Sequence, residues 1–343
     1  MSKITPVAPS VSSDGRAVVD RSPVSRPRLL TANLFGMPFG LAGLAQCWSA
    51  AHDLIGAPGW PAGLLWIVTG CVYLLVLAAY LHNVVRTHRS ATEAGDLTFG
   101  PFTALILVVP MMLGLALAGP APRAGTAVFL IFLVLVALYG GWLSGQWIIE
   151  DRPLQRWHPG YFLPTVAGPL IAAGGSATLG FDRIARLMFG YGLVCWIVLG
   201  SIILARLFTQ AALPLALVPT IAIEVAPPVV AGNAWFLING HQPDLAAHLL
   251  AGYAVLMIFV QVRLIPLYLQ VPFAAGMWAF SFSYAAAFTV GIRWLAAEDV
   301  SAQRTLTSCL LAVITAGFVA LLIRTVVALV QGTFVARPKP AGP

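Results

Sequence analysis

Charge is what this chain has least of. Asp, Glu, Lys and Arg make up 9% of its 343 residues, against about 25% in a soluble protein, too few to cover a water-facing surface. That shortage excludes a soluble enzyme, a disordered protein and an ordinary nucleic-acid-binding domain. The net charge of +7 does not restore the last of these, because most Lys and Arg residues fall in the N-terminal segment or at the ends of apolar blocks. Such a pattern suits membrane orientation better than a phosphate-binding stripe.

Cysteine and chemical motifs are scarce too. Cys47, Cys71, Cys195 and Cys309 all lie in apolar segments and none forms a CxxC pair, so they read as buried free thiols. No two histidines have ligand spacing within one span, and no metal site is expected. There is no P-loop, which argues against ATP-driven pumping, and no cofactor is implied. GWLSG (Gly141 to Gly145) has one residue too many for the GxSG of a rhomboid-type protease, and HExxH is absent. The chain does not read as an enzyme.

What is present is hydrophobic sequence: 59% of the residues are apolar and the mean hydropathy is +0.88. At ~20 residues per helical span the apolar blocks resolve into ten. They cover residues 33–52, 62–85, 99–118, 124–147, 157–178, 184–207, 214–238, 245–268, 271–296 and 306–332. Residues 1–32 lack the apolar stretch of a signal peptide and read as a disordered cytoplasmic tail. Residues 33–332 form the transmembrane domain and 333–343 a short cytoplasmic tail. The loops leave no room for a soluble domain.

With the N-terminus in the cytoplasm, that side carries 13 Lys and Arg residues and the opposite side five. The five are Arg123, Arg183, Arg186, Arg293 and Arg304. The positive-inside rule then places both termini in the cytoplasm of a plasma or inner membrane protein.

Proline sharpens the picture. It falls in the odd spans (Pro38; Pro101 and Pro110; Pro159, Pro164 and Pro169; Pro214, Pro219, Pro227 and Pro228; Pro272) and avoids the interiors of the even ones. Proline removes a backbone donor and kinks a helix, and the freed carbonyls need a protein or water partner in hydrocarbon. Kinked helices therefore belong inside. The reading is an all-α integral membrane fold of ten helices, five hairpins in quasi-fivefold arrangement, with the odd helices around a central pore.

Four segments then carry a family likeness: FGMPFGLAGLA (Phe35 to Ala45), HPGYFLPTVAGP (His158 to Pro169), APPVV (Ala226 to Val230) and GMWAFSF (Gly276 to Phe282). In this order the chain resembles the tellurite-resistance/C4-dicarboxylate transporter family, TehA-like and slow-anion-channel-like, from about residue 33 to 332. The resemblance implies ten helices as five hairpins and a homotrimer with one pore per protomer. It also implies transport of small inorganic or carboxylate anions through a pore plugged by a phenylalanine. The matching residue is Phe282, and Phe35 matches a pore-facing aromatic. Pro110 departs from the family pattern by lying a few residues late.

Pore-lining or kink positions are then Phe35, Gly36, Pro38, Gly40, Pro110, Pro164, Pro169, Pro227, Gly276 and Ser281. Ser283, Thr289, Thr165 and Thr103 are further hydroxyl candidates, and for each of these, as for Ser281, a bond to its own helix backbone is the commoner case. His158 reads as a helix-start residue. Glu224 lies mid-span, where a bare charge is expensive. Either it pairs with Arg263 or Arg324, or it is a protonatable site coupling anion movement to protons, as in a proton-coupled dicarboxylate or sulfite/tellurite transporter.

Overall fold

The computed structural model describes residues 30–87, 93, 95–298 and 300–334. The segments 1–29 and 335–343, with His88 and Arg89, lie outside the described residues. Within them the chain is helical and has no strand.

Five helices are long and continuous: α2 (Trp60–Thr87), α4 (Pro122–Ile149), α6 (Asp182–Thr209), α8 (Leu245–Tyr268) and α10 (Gln303–Val330). Those alternating with them are shorter, and each begins with a turn of another helix type. α1 (Gly36–Ile55) follows a 3-10 turn at Ala32–Phe35, and α3 (Leu105–Leu117) follows one at Gly100–Ala104. α5 (Gly168–Thr178) follows a 3-10 turn at Pro159–Tyr161 and a π turn at Leu163–Ala167. α7 (Ala226–Ile238) follows 3-10 residues Val218–Val225, and α9 (Ala279–Ala297) follows Ala275–Trp278. Eight of these ten spans are long and apolar enough to cross a membrane. α1, with its polar residues, and the 11-residue α5 are the exceptions.

The prolines explain the alternation in a way that differs from mid-helix kinking. Pro101, Pro159 and Pro219 open 3-10 turns, Pro164 lies in the π turn, and Pro38, Pro169, Pro227 and Pro228 lie in the first turn of an α segment. Proline's fixed φ suits a first helical turn, and here the prolines cluster where the chain changes from a 3-10 or π turn to α. The interruption is thus a change of helix type at the start of each odd span. Pro110 is the interior case in α3. Two expectations need correction: Pro214 and Pro272 lie in loops, because the helical runs start at Val218 and Ala275. Pro266 lies in the last turn of α8, near its end. Phe334, assigned to the tail, is buried and its carbonyl accepts from the Ala275 N–H.

Each even helix packs on the odd helix before it. Odd helices also touch one another: α1 meets α3, α3 meets α5, α5 meets α7, α7 meets α9, and α9 meets α1. The most apolar stretch of each even helix is 22–33% buried, against 56–72% for α3, α7 and α9. The large apolar side chains left exposed on even helices, such as Ile67, Leu138, Ile197, Phe259 and Ile323, make a surface suited to lipid.

Glycine sets the closest approaches. A Cβ on Gly40 of α1 would lie 2.0 Å from Ser281 Oγ, and one on Gly125 of α4 would lie 2.1 Å from the Ala118 nitrogen just past the end of α3. Gly141, by contrast, faces open space. Gly40→Ala is expected to destabilise the protein by about 1–3 kcal/mol through overpacking, read as a lower melting temperature in detergent. Gly141→Ala should leave the melting temperature unchanged or raise it slightly, and equal effects from the two would refute the close-approach argument.

Candidate functional site

Two cavities lie along the odd helices, and both are lined by all five of those spans. The larger, about 730 Å³, is bordered by the C-terminal halves: Gln46 and Ala50 of α1, Leu115 of α3, Gly174 of α5, Asn233 of α7 and Ala286 of α9. The smaller, about 30 Å³, is bordered by the leading turns and first residues, among them Gly36, Phe102, Leu163, Ile223 and Ala279. Among the described residues Phe282 alone borders both.

Its placement follows from the α1–α9 contact. Gly43 leaves the ring room, since a Cβ there would come within 3.0 Å of Phe282 Cδ2. One turn earlier Phe39 stacks on the Phe282 ring, with centroids 3.7 Å apart and planes inclined by 17°. Trp278, four residues before Phe282, is anchored to α10 by its indole N–H, which donates to Thr325 Oγ1 at 3.1 Å. Phe282 is 4% exposed. An apolar double ring between two cavities excludes water, and a dewetted constriction blocks ions until a side chain moves.

The cavities differ in polarity. The small one borders mostly apolar groups, with Asn33 and Ser283 as exceptions. The large one borders Gln46, Ser49, His52, Asp53, Asn233, Thr289 and Arg293. Arg293 is a cavity-lining residue that the sequence reading left among the outer charges. Its signal was available, since residues 282, 286, 289 and 293 share one face of a helix at the i, i+4, i+7, i+11 spacing.

The other sequence candidates separate. Gly36 and Gly276 border the small cavity, whereas Gly40 serves the α1–α9 contact instead. Pro38, Pro110, Pro164, Pro169 and Pro227 are buried but border neither cavity. Phe35 is a correction: it turns away from both cavities and packs against Tyr73 and Tyr80 of α2 at 5.9 and 5.5 Å. Ser281 also borders neither, because its hydroxyl donates to the Trp278 carbonyl at 2.6 Å. Thr103 and Thr220 bond the carbonyls of Gly100 and Leu217 in the same i−3 pattern. These hydroxyls serve the 3-10 turns rather than a permeating ion. Thr289 borders the large cavity while donating to the Ala285 carbonyl, and Thr165 Oγ1 is buried without a partner. His158 caps the turn it begins, accepting from the Gly160 N–H through Nδ1 and meeting the Thr98 carbonyl through Nε2.

The expected ion pair of Glu224 does not form among the described residues. Arg263 is exposed on α8, whose inward face presents Gln261 instead. Gln261 Nε2 donates to the Ile221 carbonyl and its Oε1 accepts from Tyr268. Two residues further along an α-helix point nearly the opposite way, which removes Arg263 from reach. The Arg324 guanidinium lies 5.2 Å from the Phe273 ring centroid. Glu224 is buried, and its Oε1 has no hydrogen-bond partner among the described residues.

Ten helical spans, eight of them long and apolar enough to cross a bilayer, define a multi-pass membrane protein. The sequence pattern of the voltage-dependent anion channel (SLAC1) family matches residues 30–326, and the chain belongs to that family. It is 29% identical over 271 residues to the tellurite resistance protein TehA homolog of Haemophilus influenzae, covering 76% of this chain and 80% of that protein. It is 24% identical to the S-type anion channel SLAH3 of Arabidopsis thaliana and 25% identical to the guard cell S-type anion channel SLAC1 of the same plant. Each match covers 85% of this chain, but the chain spans only 47% and 54% of those two plant proteins.

If the two stacked rings support each other, Phe39→Ala and Phe282→Ala will not be additive in a double-mutant cycle. A coupling of about 0.5–1.5 kcal/mol is expected for an aromatic pair, measured by unfolding in detergent. Strict additivity would show that the rings pack independently.

Proposed function

We propose that the protein is a conduit for small inorganic or carboxylate anions across the cell membrane, closed in this conformation by Phe282. The observation that carries the reading is the position of Phe282 between two cavities bordered by the same five helical spans. The closed sequence of contacts from α1 through α9 and back supports a ring of odd helices around a pore. Their deeper burial supports a sheath of even helices around that ring. The charge asymmetry of 13 against five supports cytoplasmic termini. The small cavity then faces the cytoplasm and the large one the opposite side. Assembly as a homotrimer with a pore in each protomer is part of the proposal and rests on the family likeness. The relatives named for anion channels and for tellurite resistance support an anion as cargo.

The test is anion flux into liposomes carrying purified protein. Phe282→Ala should raise chloride or nitrate flux about tenfold or more, equivalent to lowering a barrier by about 1.4 kcal/mol. Absence of flux in both wild type and variant would overturn the proposal.

A second reading, proton-coupled transport of dicarboxylate, sulfite or tellurite, is favoured by the unpartnered Oε1 of Glu224. That carboxyl borders neither cavity and lies within electrostatic reach of Tyr253 and Tyr268 on α8. A proton there would act on the packing between α8 and the turn leading into α7, rather than on the path itself. On this reading Glu224→Gln flattens the pH dependence of flux, and an unchanged pH profile removes the coupling.

A further inference from the structure

The large cavity holds a guanidinium whose surroundings leave part of it unused. Arg293 borders the cavity from α9, eleven residues beyond Phe282 and so about 16 Å further along the helix. Its Nε donates to Asn233 Oδ1 at 3.2 Å. Asn233 is itself held at both amide hydrogens, donating to the Val229 carbonyl at 3.0 Å and the Ala286 carbonyl at 2.9 Å. The amide therefore ties α7 to α9 and fixes the guanidinium by one edge. Among the described residues no protein group accepts a hydrogen bond from the two Nη atoms and no carboxylate comes within ion-pair distance. Asp53, the nearest acidic influence, is exposed on α1 and borders the same cavity.

We propose that Arg293, positioned by Asn233, is an anion-binding site of the outer vestibule, selective for planar oxyanions such as nitrate or a carboxylate. A guanidinium anchored through Nε presents its Nη groups as a flat fork, which matches two oxygens of a planar anion and gives a single round ion no second contact. Its half-buried place between α7 and the cavity strengthens the attraction relative to bulk water. The width of the cavity and the carboxylate of Asp53 keep it from becoming a trap, as conduction requires. The role of this site in feeding a pore rests on the proposed conduit, whereas the binding itself does not.

Calorimetric titration of detergent-purified protein with sodium nitrate, and separately with sodium chloride, tests the site without any flux. Nitrate affinity should fall about tenfold in Arg293→Gln and nearly as far in Arg293→Lys, which keeps the charge and loses the fork. Chloride affinity should fall in Arg293→Gln and persist in Arg293→Lys. Arg304→Gln, in a separate groove bordered by α10, should bind nitrate as wild type does. Equal nitrate affinity in wild type and both Arg293 variants would overturn the site, as would no measurable nitrate binding by wild type. Full nitrate binding by the folded Arg293→Lys protein would overturn the fork. Arg293-dependent binding without flux through Phe282→Ala would leave the site standing and sink the conduit. Flux through Phe282→Ala with affinity indifferent to Arg293 would do the reverse.

Discussion

Hydrocarbon supplies no hydrogen-bond partners, so every backbone group that enters it must be satisfied within the protein. The rest of this structure can be understood from that constraint. The even helices meet it in the simplest way, as unbroken α-helices of 24 to 28 residues that turn large apolar side chains outward. The odd spans depart from the α-helical ladder, and they do so at turns whose residues are largely buried by neighbouring spans. Hydroxyls at Thr103, Thr220 and Ser281 bond back to carbonyls of these turns. Irregular backbone is kept where protein, not lipid, surrounds it.

The same close packing shapes the path. Glycines at 40 and 43 let α1 approach α9 until the Phe39 and Phe282 rings stack. On one side of that stack the cavity is small and mostly apolar, and on the other it widens and becomes polar. The polar cavity with Arg293 and the apolar one thus lie on opposite sides of the stacked rings. This arrangement matters physically, since a charge placed in the apolar segment would be costly while one in the polar cavity stays partly solvated. Glu224 borders neither cavity and lies within electrostatic reach of Tyr253 and Tyr268 on α8.

Much of the fold was legible in the sequence because the bilayer imposes a length and a polarity on each span. Ten apolar blocks became ten helical spans, and the odd positions of proline became the five spans that begin with a non-α turn. The nature of the proline effect was not legible. Pro38, Pro169, Pro227 and Pro228 fall in first turns, which depends on where each α segment starts, and starts are decided by packing rather than by composition. Of the residues singled out in the sequence, Phe282, Gly36 and Gly276 border the cavities. Phe35 and Ser281 border neither, because rotation about the helix decides between a cavity and a neighbouring contact.

Charge pairing shows the division most sharply. Composition and periodicity alone determined a membrane-spanning, all-helical chain with few ionisable groups inside it, because those properties follow from the cost of exposing polar groups to hydrocarbon. They could not determine which of those few groups would meet. Glu224 finds neither Arg263 nor Arg324, because α8 presents Gln261 on its inward face and Arg324 lies over Phe273. Arg293, counted from its position as an outer charge, is instead clamped by Asn233 from another helix at a sequence distance of 60 residues. Pairings of that kind depend on the rotation and crossing of packed helices, and only the tertiary structure decides them.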